Sequence, residues 1–382
     1  MSKKHQKHAK ISRPTIGEFG RNEFAFMGTP CGEIKKLAKV LCDKLSNKYQ
    51  VAYVDADHKS GDDPANLEGS SLTFGNQIGY TDKIDFHRFD MLNNLDDFQK
   101  KSIFNTQDLV LVNGNHFKAK EQFIIIDPKK SLEKKIDKLT NVSLIVLQKG
   151  VTDIPKFIRD HLKDIDDIPV VNIEDTNTIF DFITSRIQKS TPKVKGLVLT
   201  GGKSVRMERD KTLINYHGKS QREYMIDLLT DLTDSTYYSI RSDQAKEFED
   251  KNSISDVFLG LGPYGAILSA MMKDPDSAWL VTAADQPFLT KEVLKLLLDG
   301  RNPSKTATAF YNPETGFPEP LVTLWEPRAY PIMLQFLSQG YSCPRKVLIN
   351  SDIELLKLED ASVLSNVNTP QEYAQAKEVL NH

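Results

Sequence analysis

The sequence predicts an α/β fold arranged in two domains, and three observations predict it. The chain has 382 residues, more than one hydrophobic core usually serves. Short apolar runs of strand length alternate with stretches of helical spacing along the whole chain. Two of those runs, 23–27 and 197–199, each end in a glycine turn, and a polar stretch at 188–195 containing Pro192 separates the halves. We therefore expect a tail at 1–14, a first domain at 15–190 and a second at 191–382. A net charge of −2 gives no argument for a nucleic-acid partner. The longest apolar runs fall far short of a membrane span. Cys31, Cys42 and Cys343 lack metal-like or redox-like spacing and read as reduced thiols of a cytoplasmic protein. Residues 1–14, rich in Lys and His with no apolar core, read as a disordered basic tail and not as a secretory signal.

In the first half, 23–27 reads as a strand, Gly28 to Gly32 as a turn, and 34–45 as a helix with Leu37, Val40, Leu41 and Leu45 on one face. Strand, glycine turn and helix form the context of a P-loop, but the motif fails. Gly28 and Gly32 are four apart, where G-x-x-x-x-G-K-[ST] needs five, and Glu33 and Ile34 stand where Lys and Ser/Thr belong. Lys35 and Lys36 are the cations left to stand in. A second strand at 51–54 runs into Asp55, Asp57 and His58, and 60–79 reads as a long polar loop in which Asp62 and Asp63 extend an acidic cluster. Further strands are expected at 108–112, 123–126 and 142–147, and helices at 130–139, 154–162 and 177–187. This alternation argues for a parallel sheet.

The second half carries the chemistry. The strand at 197–199 is followed by Thr200, Gly201 and Gly202, and then by the cations Lys203, Arg206 and Lys211. A glycine turn exposes backbone N–H groups, and N–H groups beside cations make a phosphate cradle. A helix is expected at 221–232 and a strand at 237–240 that carries Ser239. Asp256 precedes a G-P-x-x-G turn at Gly262, which opens a helix at 266–272. The strand beginning at Trp279 terminates in Asp285, followed by Pro287. A carboxylate at the carboxyl end of a parallel strand stands at the rim where α/β sheets bind ligands. Thr369 and Pro370 have the character of a helix cap and a first helical residue.

The stretch from Leu199 to Lys211 resembles the nucleotide loop of the molybdenum cofactor guanylyltransferases, L-x-G-G-x-S-x-R-M-G-x-D-K. Leu199, Gly201, Gly202, Ser204, Arg206, Met207, Asp210 and Lys211 match, and Glu208 replaces a glycine. The resemblance extends over the whole second half. Asp285 falls in the family's D-x-P, with Ala284 in place of a common cysteine. Glu319 replaces the glutamine of a Q-P-L strand, and Asn366 and Asn368 fall in N-x-N-T-P. Residues 22–188 resemble the GTP-binding adaptor that accompanies these enzymes, with Asn113 in place of an acidic residue. The implied fold is two Rossmann-like three-layer domains, an N-terminal degenerate P-loop-type adaptor and a C-terminal nucleotide-diphospho-sugar transferase-like domain.

What the resemblance implies is transfer of GMP from GTP to molybdenum-molybdopterin, with release of pyrophosphate. Arg206, Lys211 and Asp285 are then the catalytic residues. Leu199, Thr200, Gly201, Gly202, Lys211, Ser239, Asp256 and Asp285 hold the nucleotide, and Asp285 holds Mg²⁺. Arg345, Asn366 and Asn368 lie on the molybdopterin side. A molybdoenzyme apoprotein or a molybdenum insertase is the implied protein partner, and neither nucleic acid nor membrane is involved. The related cytidylyltransferases carry alanine where Gly201 stands, which implies a preference for guanine. Two alternatives stay open at this point: a non-catalytic molybdopterin carrier, and a nucleotidyltransferase of the same fold using another base or acceptor. The N-terminal half is expected not to hydrolyse GTP.

Overall fold

The computed structural model describes residues 11–57, 68–201 and 211–380. The chain divides into two compact units, Ile16–Lys189, and Ser190–His382 together with Met1–Thr15. Residues read from the sequence as part of the basic tail belong to this second group. Ser12 Oγ donates to the Lys273 carbonyl at 2.9 Å, and Thr15 donates to the Asp276 carboxylate through its backbone N–H and its hydroxyl.

In the Ile16–Lys189 unit, β1 (Glu23–Met27) is buried along its whole length. A strand with no polar face needs cover on both sides, so it takes an interior position. After it come α1 (Cys31–Leu45), β2 (Val51–Val54), the hairpin β3 (Ile78–Asp82) and β4 (His87–Met91), and α2 (Asp97–Ile103). The unit continues with β5 (Leu109–Asn113), β6 (Glu121–Ile126), β7 (Val142–Leu147), α3 (Lys156–His161), β8 (Val170–Asn172) and α4 (Thr176–Lys189). The main sheet is parallel throughout, in the order β2-β5-β1-β6-β7-β8. Helix α1 buries Ile34, Leu37, Ala38, Leu41 and Leu45, and its apolar stripe shares a core with Ile179, Ile183 and Ile187 of α4. The buried Glu23 carboxylate accepts from the backbone N–H groups of Glu18, Phe19, Gly20 and Lys120, which pins the entry to β1.

Two expectations for this unit are corrected. The stretch 130–139 is not an α-helix but a 3₁₀ segment at Glu133–Lys138, with Lys135 outside helical geometry. It buries no residue of its own, and short helices in water depend on burying an apolar face. The segment read as loop up to 79 contains the 3₁₀ turn Ser71–Phe74 and the first strand of the β3/β4 hairpin. That hairpin carries no Asn-Gly or Asp-Gly signal at its turn.

In the Ser190–His382 unit, β9 (Val194–Leu199) is followed by α5 (Gln221–Thr230), β10 (Ser235–Ile240), β11 (Ser253–Ser255), α6 (Pro263–Lys273) and β12 (Ala278–Ala283). Then come α7 (Lys291–Asp299), β13 (Ala307–Asn312), β14 (Phe317–Trp325), α8 (Ala329–Ser338), α9 (Pro344–Ile349), β15 (Glu354–Leu356) and α10 (Pro370–Leu380). The sheet order is β11-β10-β9-β12-β14-β13-β15. Strand β14 runs antiparallel to both neighbours, so this sheet is mixed rather than wholly parallel. Alternation along β9 and β12 sends Val198 and Leu280 to one face, against Met225, Leu229, Leu294 and Leu297. Leu197, Trp279 and Val281 go to the other, against Ile267, Leu268, Met271 and Met333. The result is three layers, with helices on both faces of the sheet.

At the foot of this sheet Arg301 makes a two-point ion pair with Glu326, at 2.7 and 2.9 Å, and Glu326 is only 1% exposed. Removing the arginine leaves a buried carboxylate without its counter-charge. Arg301→Met is therefore expected to cost this unit about 3–5 kcal/mol, read as a lower midpoint in urea unfolding. A midpoint equal to that of the parent protein would refute this.

Candidate functional site

The site is built where β9 ends. Leu199, its last residue, lies in register with Ser239 of β10 on one side and with Ala283, the last residue of β12, on the other. The chain leaves β9 for β10 on one side and returns to β12 on the opposite side, so a crevice opens at their carboxyl ends. A cavity of about 190 Å³ occupies that crevice, with Leu199, Gly201, Lys211, Ser239, Asp256 and Asp285 in its wall. Gly262, Pro263 and Ala266 bring the N-terminus of α6 to the same wall, where Gly262 takes the left-handed φ of 57° that starts the helix.

Local bonds hold the rim in place. Thr200 is 1% exposed, and both its N–H and its hydroxyl donate to the Ser239 carbonyl, at 3.1 and 2.6 Å. Its side chain therefore anchors the turn and is not among the residues that line the cavity. Arg241 donates to the Gly201 carbonyl at 2.9 Å while Asp243 holds its guanidinium. Gly201 has no left-handed φ, and a Cβ added there would approach its nearest neighbour, Arg241 Cγ, at an ordinary 3.5 Å. The protein's own packing thus does not demand glycine at this position.

Two carboxyl groups face the cavity. Ser239 Oγ donates to Asp256 Oδ1 at 3.1 Å, and burial pushes the Asp256 carboxyl above its ordinary range against that hydrogen bond. Asp285 is raised in the same way by burial, opposed by the Lys211 ammonium. Its Oδ1 is buried without a hydrogen-bond partner, an expensive state for a carboxylate. Lys211 Nζ donates to Asn368 Oδ1 at 2.7 Å, which ties Lys211 to the loop that precedes α10. That loop runs into α10, where Glu372 N–H donates to Thr369 Oγ1 and the Glu372 carboxylate accepts from the N–H groups of Asn368 and Thr369.

Of the residues singled out in the sequence, the cavity wall brings together Leu199, Gly201, Lys211, Ser239, Asp256 and Asp285, and Asn368 joins through Lys211. Gly202 and Arg206 lie outside the described residues, as do Lys203, Ser204, Met207, Glu208 and Asp210. Asn366 is exposed and does not line the cavity. Arg345 is half-buried, with a buried Nε that has no partner. It lies close enough to the buried Glu319 to lower its carboxyl, while burial and Asp285 push Glu319 up. Glu319 also accepts from Asn312 Nδ2 and the Leu321 N–H. The sequence reading did not count Thr212, Ala266 or Leu321 as site residues, although all three line the cavity. Tertiary packing brings these uncharged side chains to the wall, Ala266 from α6 and Leu321 from β14.

The carboxyl rim of the other unit is arranged differently. Gly28, with φ of 98°, turns the chain after β1, where a Cβ would come within 2.4 Å of the Ile125 carbonyl. Thr29 Oγ1 then donates to Asp127, Asn113 Nδ2 to Asp55, and Cys31 Sγ lies 3.1 Å from His116 Nε2. Lys36 pairs with Glu33 on the exposed side of α1, and Lys35 is exposed beside it. His58, Asp62 and Asp63 lie outside the described residues. Among the described residues no group of three or more His, Cys, Asp or Glu is arranged to hold a metal ion.

The half-buried Asp256 carboxyl yields a prediction of defined sign. Its folded pKa is raised, so the charge costs stability above that pKa, and the cost vanishes at pH values where the group is protonated in both folded and unfolded chains. Asp256→Asn keeps an acceptor for Ser239 and removes the charge. It is expected to raise the Tm at neutral pH, with the gain shrinking as pH falls through the raised pKa. A pH-independent gain, or a loss at neutral pH, would contradict this account.

A molybdenum cofactor biosynthesis bifunctional protein from Synechocystis sp. is 34% identical to this chain over 182 residues. That match covers 47% of this chain and 52% of the relative, so the chain spans about half the length of that protein. A probable molybdenum cofactor guanylyltransferase from Bacillus cereus is 25% identical over 199 residues, 50% of this chain and 98% of the relative. Among solved structures, molybdopterin-guanine dinucleotide biosynthesis protein A from Archaeoglobus fulgidus covers 49% of this chain and 98% of its own, with 23% identity and a TM-score of 0.43. Residues 196–354, which span β9 to the start of β15 and hold the cavity, match the MobA-like NTP transferase domain.

Proposed function

We propose that the Ser190–His382 unit is a guanylyltransferase. It moves GMP from GTP to molybdenum-molybdopterin, releases pyrophosphate and leaves the guanine dinucleotide form of the cofactor. The observation that carries this reading is the convergence of Gly201, Lys211, Ser239, Asp256 and Asp285 on one cavity at the end of β9, within the stretch that matches an NTP transferase domain. Relatives named as guanylyltransferases support the choice of reaction. A carrier would have little reason to keep a buried, unpartnered carboxylate oxygen in such a cavity.

In this reaction the terminal phosphate oxygen of molybdopterin forms a bond to the α-phosphorus of GTP as the α–β bridging bond breaks. Both reactants are polyanions, so positioning and charge stabilisation dominate, and no side chain need act as nucleophile. Lys211, held by Asn368, and Arg206 would hold the phosphates. The backbone of Leu199, Gly201 and Gly202 would hold the nucleoside. Ser239 and Asp256 form a donor–acceptor pair for the base or ribose. Arg345 and the two asparagines, Asn366 and Asn368, are assigned to the molybdopterin side.

The unpartnered Asp285 oxygen suits a hard divalent cation, since Mg²⁺ binds one or two carboxylates together with substrate phosphates. An ion held there would neutralise charge across the phosphates. The Ile16–Lys189 unit is read as a non-hydrolysing adaptor: the P-loop lysine and hydroxyl are missing from their places, and Lys36 is engaged with Glu33. No helix among the described residues is long and apolar enough to cross a membrane. The reading includes a cytoplasmic site of action and delivery to a molybdoenzyme apoprotein or a molybdenum insertase.

Asp285→Asn in the full chain should lower kcat by at least about 10²-fold with GTP, Mg²⁺ and molybdopterin, leaving the fold unchanged by circular dichroism. The same variant supplied with GTP alone should release no phosphate above a blank. Near-normal turnover at saturating Mg²⁺ would remove Asp285 from its role, and Mg²⁺-dependent phosphate release would overturn the adaptor reading.

The base is set against Gly201. Its Cβ position is open to ordinary contact, so Gly201→Ala should fold normally and act on the ligand alone. The parent chain should prefer GTP over CTP by about tenfold or more in kcat/KM. Gly201→Ala should narrow that ratio, as measured with both nucleotides in competition. Equal use of GTP and CTP by the parent chain would leave nucleotidyl transfer standing and withdraw guanine as the base.

A further inference from the structure

In the Ile16–Lys189 unit Cys31 meets a base that stands 85 positions away in the chain. Its Sγ lies 3.1 Å from His116 Nε2, a distance at which thiol and imidazole share one proton. Cys31 is the first residue of the 15-residue α1, behind Pro30, whose side chain caps none of the first N–H groups. The sulfur therefore sits at the positive end of the helix. Asn115 Nδ2 donates to the same sulfur at 3.6 Å and to the Thr29 carbonyl at 2.9 Å, which holds the amide against the turn after β1.

The imidazole is placed by its own surroundings. The His116 N–H donates to the Asn113 carbonyl at 3.1 Å, at the end of β5, and Asn113 Nδ2 donates to Asp55 at 2.6 Å. Burial pushes the Asp55 carboxyl up, but bonds from Tyr53, the Ala56 N–H and Asn113, with the charge of His116 nearby, bring it below its ordinary range. Thiol, imidazole and carboxylate thus gather at the ends of three adjacent strands, β1, β5 and β2, at the rim where α/β sheets bind ligands. Cys31 and His116 are both half-buried, so the pair is open to a small reagent. Cys42, on the same helix, packs with the core that α1 shares with α4, and burial pushes its thiol up, the condition of an inert cysteine.

Cations crowd the same place. Lys135 Nζ lies 3.5 Å from the Asn115 carbonyl. Burial and the charges of Lys130 and Lys138 push its ammonium below the ordinary range, and Cys31 is close enough to oppose them. A reagent that carries carboxylates would relieve this crowding.

We propose that Cys31 is a site of reversible thiol modification, a nucleophile that forms a mixed disulfide with small disulfides bearing carboxylates. His116 takes the Cys31 proton. Cys31 Sγ then bonds to one sulfur of the reagent as the reagent's S–S bond breaks, and the departing thiolate takes the proton from His116. One thiol and one disulfide become one mixed disulfide and one thiol, so no further oxidant enters. Lys135 receives the carboxylates of the reagent.

The test follows each cysteine of the reduced full chain by peptide mass spectrometry during exposure to oxidised glutathione near neutral pH. Cys31 should be modified at least about tenfold faster than Cys42, and faster than Cys343 although Cys343 is the more exposed. His116→Asn should slow Cys31 by at least about tenfold and leave Cys343 as it was, with an unchanged Cys42 rate showing that α1 is still packed. Should Cys42 accelerate, the variant has opened, and the comparison of Cys31 with Cys343 in the parent chain decides. Lys135→Gln should slow the reaction with oxidised glutathione but not with the uncharged bis(hydroxyethyl) disulfide. A parent chain in which Cys31 reacts no faster than Cys343 overturns the proposal, as does a packed His116→Asn variant whose Cys31 keeps its rate. Equal rates for parent and Lys135→Gln with oxidised glutathione would overturn the choice of acidic disulfides.

Discussion

The Ser190–His382 unit depends on how strand β9 is stopped. Leu199 is the last residue with partners on both sides, and Thr200 then spends its N–H and its hydroxyl on one carbonyl, that of Ser239. This double bond ends the strand at a fixed point, and Arg241 holds the next carbonyl, that of Gly201. With both fixed, the glycine backbone meets the crevice between β9 and β12, and Lys211 meets Asn368 from the far end of the chain. The sequence offers Thr200 as one of the residues to hold the nucleotide, and in the fold its side chain anchors the end of β9.

The site is also a place where stability is given up. Asp256, Asp285 and Glu319 are all carboxyl groups whose charged forms are disfavoured by burial. Arg345 adds a buried donor with no partner. Side chains in this condition are what a polyanionic ligand and its counter-ion would satisfy, since they supply the bonds and charge that the protein withholds. The other unit shows the contrary arrangement. Its rim is closed by bonds among its own side chains, Thr29 with Asp127 and Asn113 with Asp55. A rim whose polar groups already pair with one another has less to offer a phosphate.

The two sheets share a local construction around one central strand. Each places a buried strand next to two parallel neighbours and a glycine turn at its carboxyl end. In the second unit, β14 enters between β12 and β13 in the opposite direction. That reversal carries Glu319 and Leu321 to the neighbourhood of Asp285, and a wholly parallel sheet would have presented the far end of that strand instead. This end of the site is thus a product of topology as much as of residue choice.

What the sequence by itself determined is local. The strands at Glu23–Met27, Val51–Val54 and Val142–Leu147, the helix faces and the cap at Thr369 follow from periodicity and side-chain chemistry acting within a few residues. The spacing of glycines and cations after β9 was legible for the same reason, because a phosphate cradle is made from one continuous stretch. The tertiary structure alone decided what lies far apart in the chain: the antiparallel β14, the Lys211–Asn368 contact across 157 positions, and Thr212, Ala266 and Leu321 in the cavity wall. It also decided which face of the hairpin at Ile78–Asp82 is wet, since strand alternation defines two faces but not which one the unit covers. Such contacts depend on strand order and register, and these are settled by the packing of the whole unit rather than by any residue's own preference.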